Sequence, residues 1–244
     1  MTPAPLVTTS WDDGHPLDLR VAGVLARHGL RGTFYVPVQP VAGGLLSTGE
    51  MRTLLDMGME IGSHTVTHPV LTEISEAEVD RELRDSRSAL EDALGVEVTS
   101  FCYPKGRFND NVVQRTKLAG YRVGRTTVGF QTGRDFDPLR MPVSVQLFPH
   151  GPSIHCRHAI KQGNWQGLRN WLFQMGAESD VEMLTSRLME RISAQGGIFH
   201  LWGHSWELEK HGLWPLFERV AATMGNAPAA VHVTNGQTVK DVFQ

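Results

Sequence analysis

Two neighbouring acids and a pair of histidines carry the chemistry open to this chain. Asp12-Asp13-Gly14 stands near the start, and His64-Thr65-Val66-Thr67-His68 follows about fifty residues later. Two carboxylates and two imidazoles suffice for a three-ligand metal site with one acid left over as a base, the minimum set for activating a water molecule. Adjacent residues on a strand point to opposite faces, so both acids reach one site only if the backbone turns there. Gly14 permits that turn. The same residues before Pro16 are also good turn and helix-cap chemistry. The i, i+4 spacing of His64 and His68 presents two imidazoles on one side of a turn. Ser63, Thr65 and Thr67 surround them with hydroxyls that suit supporting hydrogen bonds. No glutamate follows the first histidine, so this is not the HExxH zinc motif.

The elements that must position these groups alternate between short strands and amphipathic helices. Strands are expected over Leu6 to Trp11, Gly32 to Pro37, Glu60 to His64, Val98 to Tyr103, Tyr121 to Thr126, Arg140 to Gln146 and Gly197 to His204. Helices are expected over Pro16 to His28, Thr48 to Met57, Ser75 to Leu94, Asn109 to Leu118, Asp180 to Ala194 and Leu213 to Met224. The helix from Ser75 is the clearest: Ser75 and Glu78 form a capping-box pattern, Val79, Leu83, Leu90 and Leu94 an apolar stripe, and Gly95 a stop. Residues 150–171 are rich in Gly, His and Trp without a clean period, and are read as a loop insertion (about 147–178) leading into a helix. The aromatic side chains from Trp165 to Trp171 could stack on sugar rings or simply pack that loop.

Repeated strand-then-helix units favour a parallel sheet covered by helices. The acids, the His64/His68 pair and His204 all fall at the C-terminal ends of expected strands, where barrel-type enzymes place their chemistry. Apolar residues make up 41% of the chain and charged residues 20%, with a net charge of −3, which gives no nucleic-acid signal. Cys102 and Cys156 stand apart, so neither a disulfide framework nor a cysteine zinc site is expected. No signal peptide and no run long enough to span a membrane is visible, and the cytoplasm is the simplest compartment.

Ser10-Trp11-Asp12-Asp13-Gly14 resembles the T-F-D-D-G motif of polysaccharide deacetylases, the NodB-homology or carbohydrate esterase family 4 group. His64-Thr65-Val66-Thr67-His68 resembles their H-[ST]-x-x-H motif. The resemblance covers about Leu6 to Thr126 and resumes at Gly197 to His204. It implies a distorted (β/α) barrel forming one catalytic domain over residues 1–244. It further implies an Asp13, His64 and His68 metal triad with Asp12 as general base. Zinc is the first choice of cation, and nickel, cobalt, manganese and iron are compatible with the same donors.

Two later motifs depart from the family pattern. Where the family often reads F-R-x-P-Y-G, this chain reads Phe101-Cys102-Tyr103-Pro104-Lys105-Gly106. Cys102 replaces the arginine that braces the catalytic acid, and Lys105 the tyrosine whose backbone N–H faces the oxyanion. Arg140 is expected to supply the missing cation, with Arg107 as second choice. Tyr103 and Lys105 are expected to contact substrate. For the final L-x-H motif, Trp202-Gly203-His204 is the better match. That makes His204 the general acid, oriented by Glu207, and puts Trp202 beside the acyl pocket. His200 is read as a buried, hydrogen-bonded core residue.

The expected function is therefore a metal-dependent hydrolase that removes an N-acetyl group from an amino-sugar or glycan-precursor substrate. One alternative is an amidohydrolase of the same fold acting on a cyclic amide or ureide. Another is an inactive glycan-binding module. No nucleic-acid partner is expected.

Overall fold

A computed structural model describes residues 3–41 and 43–243. The chain runs through β1 (Leu6–Trp11), α1 (Asp18–Arg27), β2 (Gly32–Val36), α2 (Thr48–Asp56), β3 (Glu60–Ser63), α3 (Glu76–Leu94), β4 (Ser100–Cys102), α4 (Asp110–Leu118) and β5 (Val123–Arg125). It continues through β6 (Val145–Gln146), α5 (Pro152–Lys161), α6 (Trp165–Phe173), α7 (Val181–Gln195), β7 (Ile198–Gly203), α8 (Ser205–Lys210), α9 (Trp214–Gly225), β8 (Val231–His232) and α10 (Asn235–Phe243).

All the strand pairings are parallel, in the order β5-β4-β3-β2-β1-β7-β6, with β8 beside the start of β1. One segment joins the two edges of this curled sheet. Met141 bridges to Arg125 on β5, and four residues later Val145 and Gln146 pair with β7. The result is a distorted (β/α) barrel. Among the described residues, no helix is long and apolar enough to cross a membrane.

β1 lies at the centre and is buried along its length. Its alternate residues serve two different surroundings. Val7, Thr9 and Trp11 face the helices, and the Trp11 ring meets Phe217 of α9 edge-on at 4.9 Å. Thr8, Ser10 and Asp12 face the interior, which is polar. Thr8 donates to Asn235 at 2.8 Å, and Ser10 pairs with His200 at 2.8 Å. Asn235, at the start of α10, also donates to the Tyr35 hydroxyl at 2.9 Å. Buried hydroxyls without such partners would destabilise the barrel. Filled with hydrogen-bonded side chains, the interior becomes a rigid floor for what lies above it.

The capping box at α3 forms as expected: Ser75 accepts from the Glu78 amide while Glu78 accepts from Ser75, and Gly95 ends the helix at φ 72°. The expected strand from Arg140 is shorter than its sequence suggested. Pro138–Arg140 is a 3-10 turn, and the chain pairs in earnest only at Val145. The largest departure lies between residues 150 and 171, where two helices replace the expected loop. Gly151 and Pro152 start α5, and Asn164 caps α6 by accepting from the Gly167 amide. The period is hidden because α5 turns His155 and His158, rather than an apolar stripe, toward the cavity.

Gly124 lies within β5 where the Pro138–Arg140 turn crosses it. A Cβ there would stand 2.5 Å from the Leu139 carbonyl oxygen and 2.8 Å from the Tyr103 hydroxyl. Because the nearest obstacle is backbone, Gly124→Ala is expected to destabilise the fold by about 1–3 kcal/mol. Urea unfolding should show a lower midpoint with an unchanged slope.

Candidate active site

A cavity of about 850 Å³ opens at the C-terminal ends of the strands. β1 delivers Asp12 and Asp13 to it, β3 delivers His64, and β7 delivers His204. The turn after β1 is tight: Asp13 has φ 77° and Gly14 φ 57°. This reversal lets two consecutive acids share one cavity. A Cβ on Gly14 would meet Val36 at 2.9 Å, so the turn also needs the absence of a side chain.

Left-handed backbone concentrates around the cavity. Asp13, His68, Lys105 and Phe130 line it with positive φ, and Thr65 adopts φ 70° inside the histidine loop. Such conformations cost on the order of 1–3 kcal/mol each and persist only where the surroundings impose them. For the histidine loop, Glu82 of α3 supplies the restraint. It accepts from the Val66 amide at 2.7 Å, the Thr67 amide at 3.0 Å and the Thr67 hydroxyl at 2.6 Å. The Thr65 hydroxyl accepts from the His68 amide at 3.0 Å.

Asp13, His64 and His68 present donor atoms that all lie within 4.8 Å of one another. The two Nε2 atoms are 3.1 Å apart, and Asp13 Oδ1 lies 3.9 Å from His64 Nε2 and 3.7 Å from His68 Nε2. His64 Nδ1 lies 2.9 Å from the Cys102 carbonyl. A carbonyl only accepts, so the ring proton sits on Nδ1 and Nε2 offers a lone pair. Burial holds His64 neutral, with its pKa lowered to about 4. Burial also lowers His68. The other oxygen of Asp13 accepts from Trp206 Nε1 at 2.9 Å, which fixes the carboxylate. This set of one carboxylate and two imidazole nitrogens suits a divalent cation.

Asp12 has a different partner. Arg125, wholly buried at the end of β5, pairs directly with Asp12 Oδ1. Its guanidinium is sandwiched between aromatic faces, 5.3 Å from the Tyr35 ring centre and 5.0 Å from that of Trp202. Burial is the largest influence on Asp12 and works against its ionisation, but the Arg125 charge and hydrogen bond, together with His64 and His204, outweigh it and lower the pKa to about 2. Cys102 donates weakly to the second Asp12 oxygen at 3.7 Å. Burial pushes its thiol well above the ordinary value, so it remains neutral.

Arg140 is not the bracing cation. It is 41% exposed and pairs with Asp110 at 2.8 Å and Asp137 at 3.3 Å. Arg107 lines the cavity but pairs with neither acid. Tyr103 is also displaced from the expected role. It is fully buried, with its hydroxyl donating to the Leu139 carbonyl at 2.8 Å, and its ring packs edge-on against Phe101. Its neighbour Lys105 does line the cavity, at φ 55°. The Lys105 amide donates to no acceptor among the described residues.

The two histidines of β7 and its end separate clearly. His200 is 1% exposed, with Nδ1 3.0 Å from the Pro142 carbonyl and Nε2 2.8 Å from Ser10. It lies in the core beneath the cavity, and burial lowers its pKa to about 3. His204 lines the cavity, with Nδ1 2.8 Å from Glu207 and Nε2 3.9 Å from Asp13 Oδ2. Burial opposes its protonation, but Glu207, Asp12 and Asp13 prevail and raise its pKa. Trp202 lines the cavity between the Arg125 guanidinium and the His204 ring. Trp165 is 64% exposed on α6, and Trp171 is buried.

Three groups at this site went unnoticed in the sequence. Arg125 stood in an expected strand beside a second arginine, Arg122, and only the structure shows that Arg125 is the buried one. Trp206 and Glu82 act across 193 and 16 residues of chain respectively, and nothing local marks them.

The sequence of residues 1–124 matches the family model for polysaccharide deacetylase. Chitin deacetylase 1 of Cryptococcus neoformans is 32% identical over 133 residues, 50% of this chain and 27% of that protein. Peptidoglycan-N-acetylglucosamine deacetylase PgdA of Listeria monocytogenes is 29% identical over 114 residues, 46% of this chain and 24% of that protein. The chain spans less than half the length of these curated relatives. Among solved structures, the Xyl-CE4 domain of a multidomain xylanase from the hindgut metagenome of Trinervitermes trinervoides shares the fold. It covers 98% of this chain and 91% of its own, with a TM-score of 0.59 and 18% identity.

The Glu207 carboxylate favours the charged form of His204, so its removal must lower the pKa. In the metal-free protein, NMR titration of the His204 ring is expected above 6.5 for the wild type. Glu207→Gln should bring it down. An unmoved titration would show that Glu207 does not control this imidazole.

Proposed function

Because this chain belongs to the polysaccharide deacetylase family, we propose that it is a metal-dependent hydrolase removing the N-acetyl group of an amino-sugar-containing substrate. One observation carries the reading. A carboxylate–imidazole–imidazole cluster shares its cavity with a carboxylate paired to a buried guanidinium and an imidazole hydrogen-bonded to the Glu207 carboxylate. Amide hydrolysis needs that combination, since one group must take a proton from water and another must give one to the departing nitrogen.

Asp13, His64 and His68 would hold the cation, zinc first by donor type, with nickel, cobalt, manganese or iron also suited to an O/N/N set. When bound, the cation supplies Lewis acidity, which makes water a better nucleophile and the amide carbonyl a better electrophile. Asp12 accepts the proton of the attacking water. Its pairing with Arg125 keeps it ionised in a buried setting. The Lys105 amide, unpaired among the described residues, would donate to the developing oxyanion. His204 then protonates the leaving nitrogen as the carbon–nitrogen bond breaks, releasing acetate and the free amino sugar. Trp202 and the Lys105 side chain line the space left for the substrate. We read residues 1–244 as one catalytic domain, because β7 and the segment around 147–178 complete a cavity that β1 and β3 begin.

The test is metal content measured beside acetate release from N-acetylated chitooligosaccharides. Wild type is expected to bind about one cation per chain and release acetate. Asp12→Asn should keep the cation and lose turnover by roughly 10²–10⁴-fold, the usual worth of a general base. Asp13→Ala should lose both. Undiminished turnover in Asp12→Asn would contradict the mechanism, and metal without acetate release from any N-acetylated sugar would contradict the substrate class.

A further inference from the structure

Beyond its floor, the cavity is charged in one sense only. Asp12 and Asp13 are the only carboxylates among the described residues lining it, whereas Lys105, Arg107 and Lys161 supply three cations. The chain as a whole is acidic, with 26 Asp and Glu against 23 Lys and Arg. The cleft therefore reverses the balance of the molecule. Both of its acids are committed, Asp12 to Arg125 and Asp13 to the imidazole cluster.

The sequence shows where the reversal originates. Between Asp137 and Glu178 there is no acidic residue, while Arg140, Arg157, Lys161 and Arg169 all fall in that stretch. The same stretch folds into β6, α5 and α6 and contributes Gln146, His150, His155, His158 and Lys161 to the cavity wall. Elsewhere the arginines commonly sit on carboxylates, as Arg87, Arg115, Arg122 and Arg219 do. Lys105, Arg107 and Lys161 have no ion pair or side-chain hydrogen bond among the described residues.

The deacetylation chemistry does not account for all three. One donor beside the scissile carbonyl answers for the oxyanion, the role proposed above for the Lys105 amide. Lys161 stands on α5, which carries none of the floor residues. The histidines on this wall are suited to a different task. Burial lowers His150, His155 and His158, which keeps them neutral donors and acceptors for hydroxyl groups. His155 Nε2 is buried with no partner. A neutral hydrogen-bonding wall next to free cations describes a site for a polar ligand with a fixed negative charge. Cationic clefts concentrate anionic ligands, and arginine can bind a carboxylate or a phosphate through two parallel hydrogen bonds.

We propose that the substrate carries an anionic group, a carboxylate or a phosphate, next to its N-acetylated unit, and that Lys105, Arg107 and Lys161 bind it. This rests on the deacetylase reading and narrows its substrate class. A cavity of about 850 Å³ has room for more than the acetylated ring alone.

The experiment measures binding by calorimetry on metal-loaded Asp12→Asn, so that hydrolysis does not intervene. The probes are neutral N,N′-diacetylchitobiose, N-acetylglucosamine 1-phosphate, and a disaccharide of N-acetylglucosamine with glucuronic acid. At least one anionic probe is expected to bind roughly tenfold or more tightly than the neutral one, in keeping with one or two charge-assisted hydrogen bonds. That preference should shrink as salt rises and collapse in Arg107→Gln/Lys161→Gln. A preference for only one anionic probe identifies phosphate or carboxylate as the group read. Absence of any preference, including failure of both anionic probes to bind, overturns the inference. Acetate release from the same probes by the wild type is scored separately. Anion preference without acetate would count against the deacetylase reading and leave this inference standing, and acetate release without anion preference would do the reverse.

Discussion

The buried ion pair between Asp12 and Arg125 sets the terms for the rest of the site. A lone carboxylate buried this deeply would take up a proton and cease to be a base. A lone buried guanidinium would be costlier still, because it cannot give its proton up. Joined across the barrel from β1 to β5, each makes the other tolerable. The aromatic faces of Tyr35 and Trp202 then cover guanidinium surface that no acceptor satisfies. Such a pair adds little to stability in its own right. Its consequence is chemical: an ionised carboxylate with little water around it, beside three donors suited to a cation.

Everything around that pair serves to hold geometry. The positive φ angles at Asp13, Thr65, His68 and Lys105 bend the chain where regular structure would carry the side chains apart. Glu82 anchors the histidine loop from α3, and Trp206 anchors Asp13 from α8. Below them, the Ser10, His200 and Pro142 contacts tie β1 to β7 and to the segment that joins the sheet edges. Side chains restrained from behind in this way lose little freedom when a ligand arrives.

Much of this was legible in the sequence, for reasons that concern distance along the chain. The parallel sheet followed from strand-then-helix repetition, the barrel from the candidate groups at strand ends and the family resemblance, and the α3 cap from Ser75 and Glu78, which contact each other directly. The approach of the acids to the histidine motif was visible because both follow expected strands, whose ends meet in a parallel barrel, and the choice of Asp13, His64 and His68 as one set came from the family resemblance. The bracing cation was sought at Arg140, close to the right strand in sequence, but that side chain turns outward to Asp110 and Asp137. Arg125 depends on which face of a three-residue strand looks inward, and so short a run shows no alternation. The helices at 152–173 were missed because the face of α5 turned to the cavity is histidine rather than leucine. Where function sets the surface of an element, the apolar period that would reveal the element is lost.

The most direct measurement is the titration of the Asp12 carboxyl carbon by NMR, in the metal-free wild type and in Arg125→Met. The account predicts a pKa of about 2 in the wild type. With the cation gone, burial should prevail and raise the value above that of an ordinary aspartate. A wild-type value near the ordinary one, or a value unmoved by Arg125→Met, would contradict the claim that this ion pair holds the base ready.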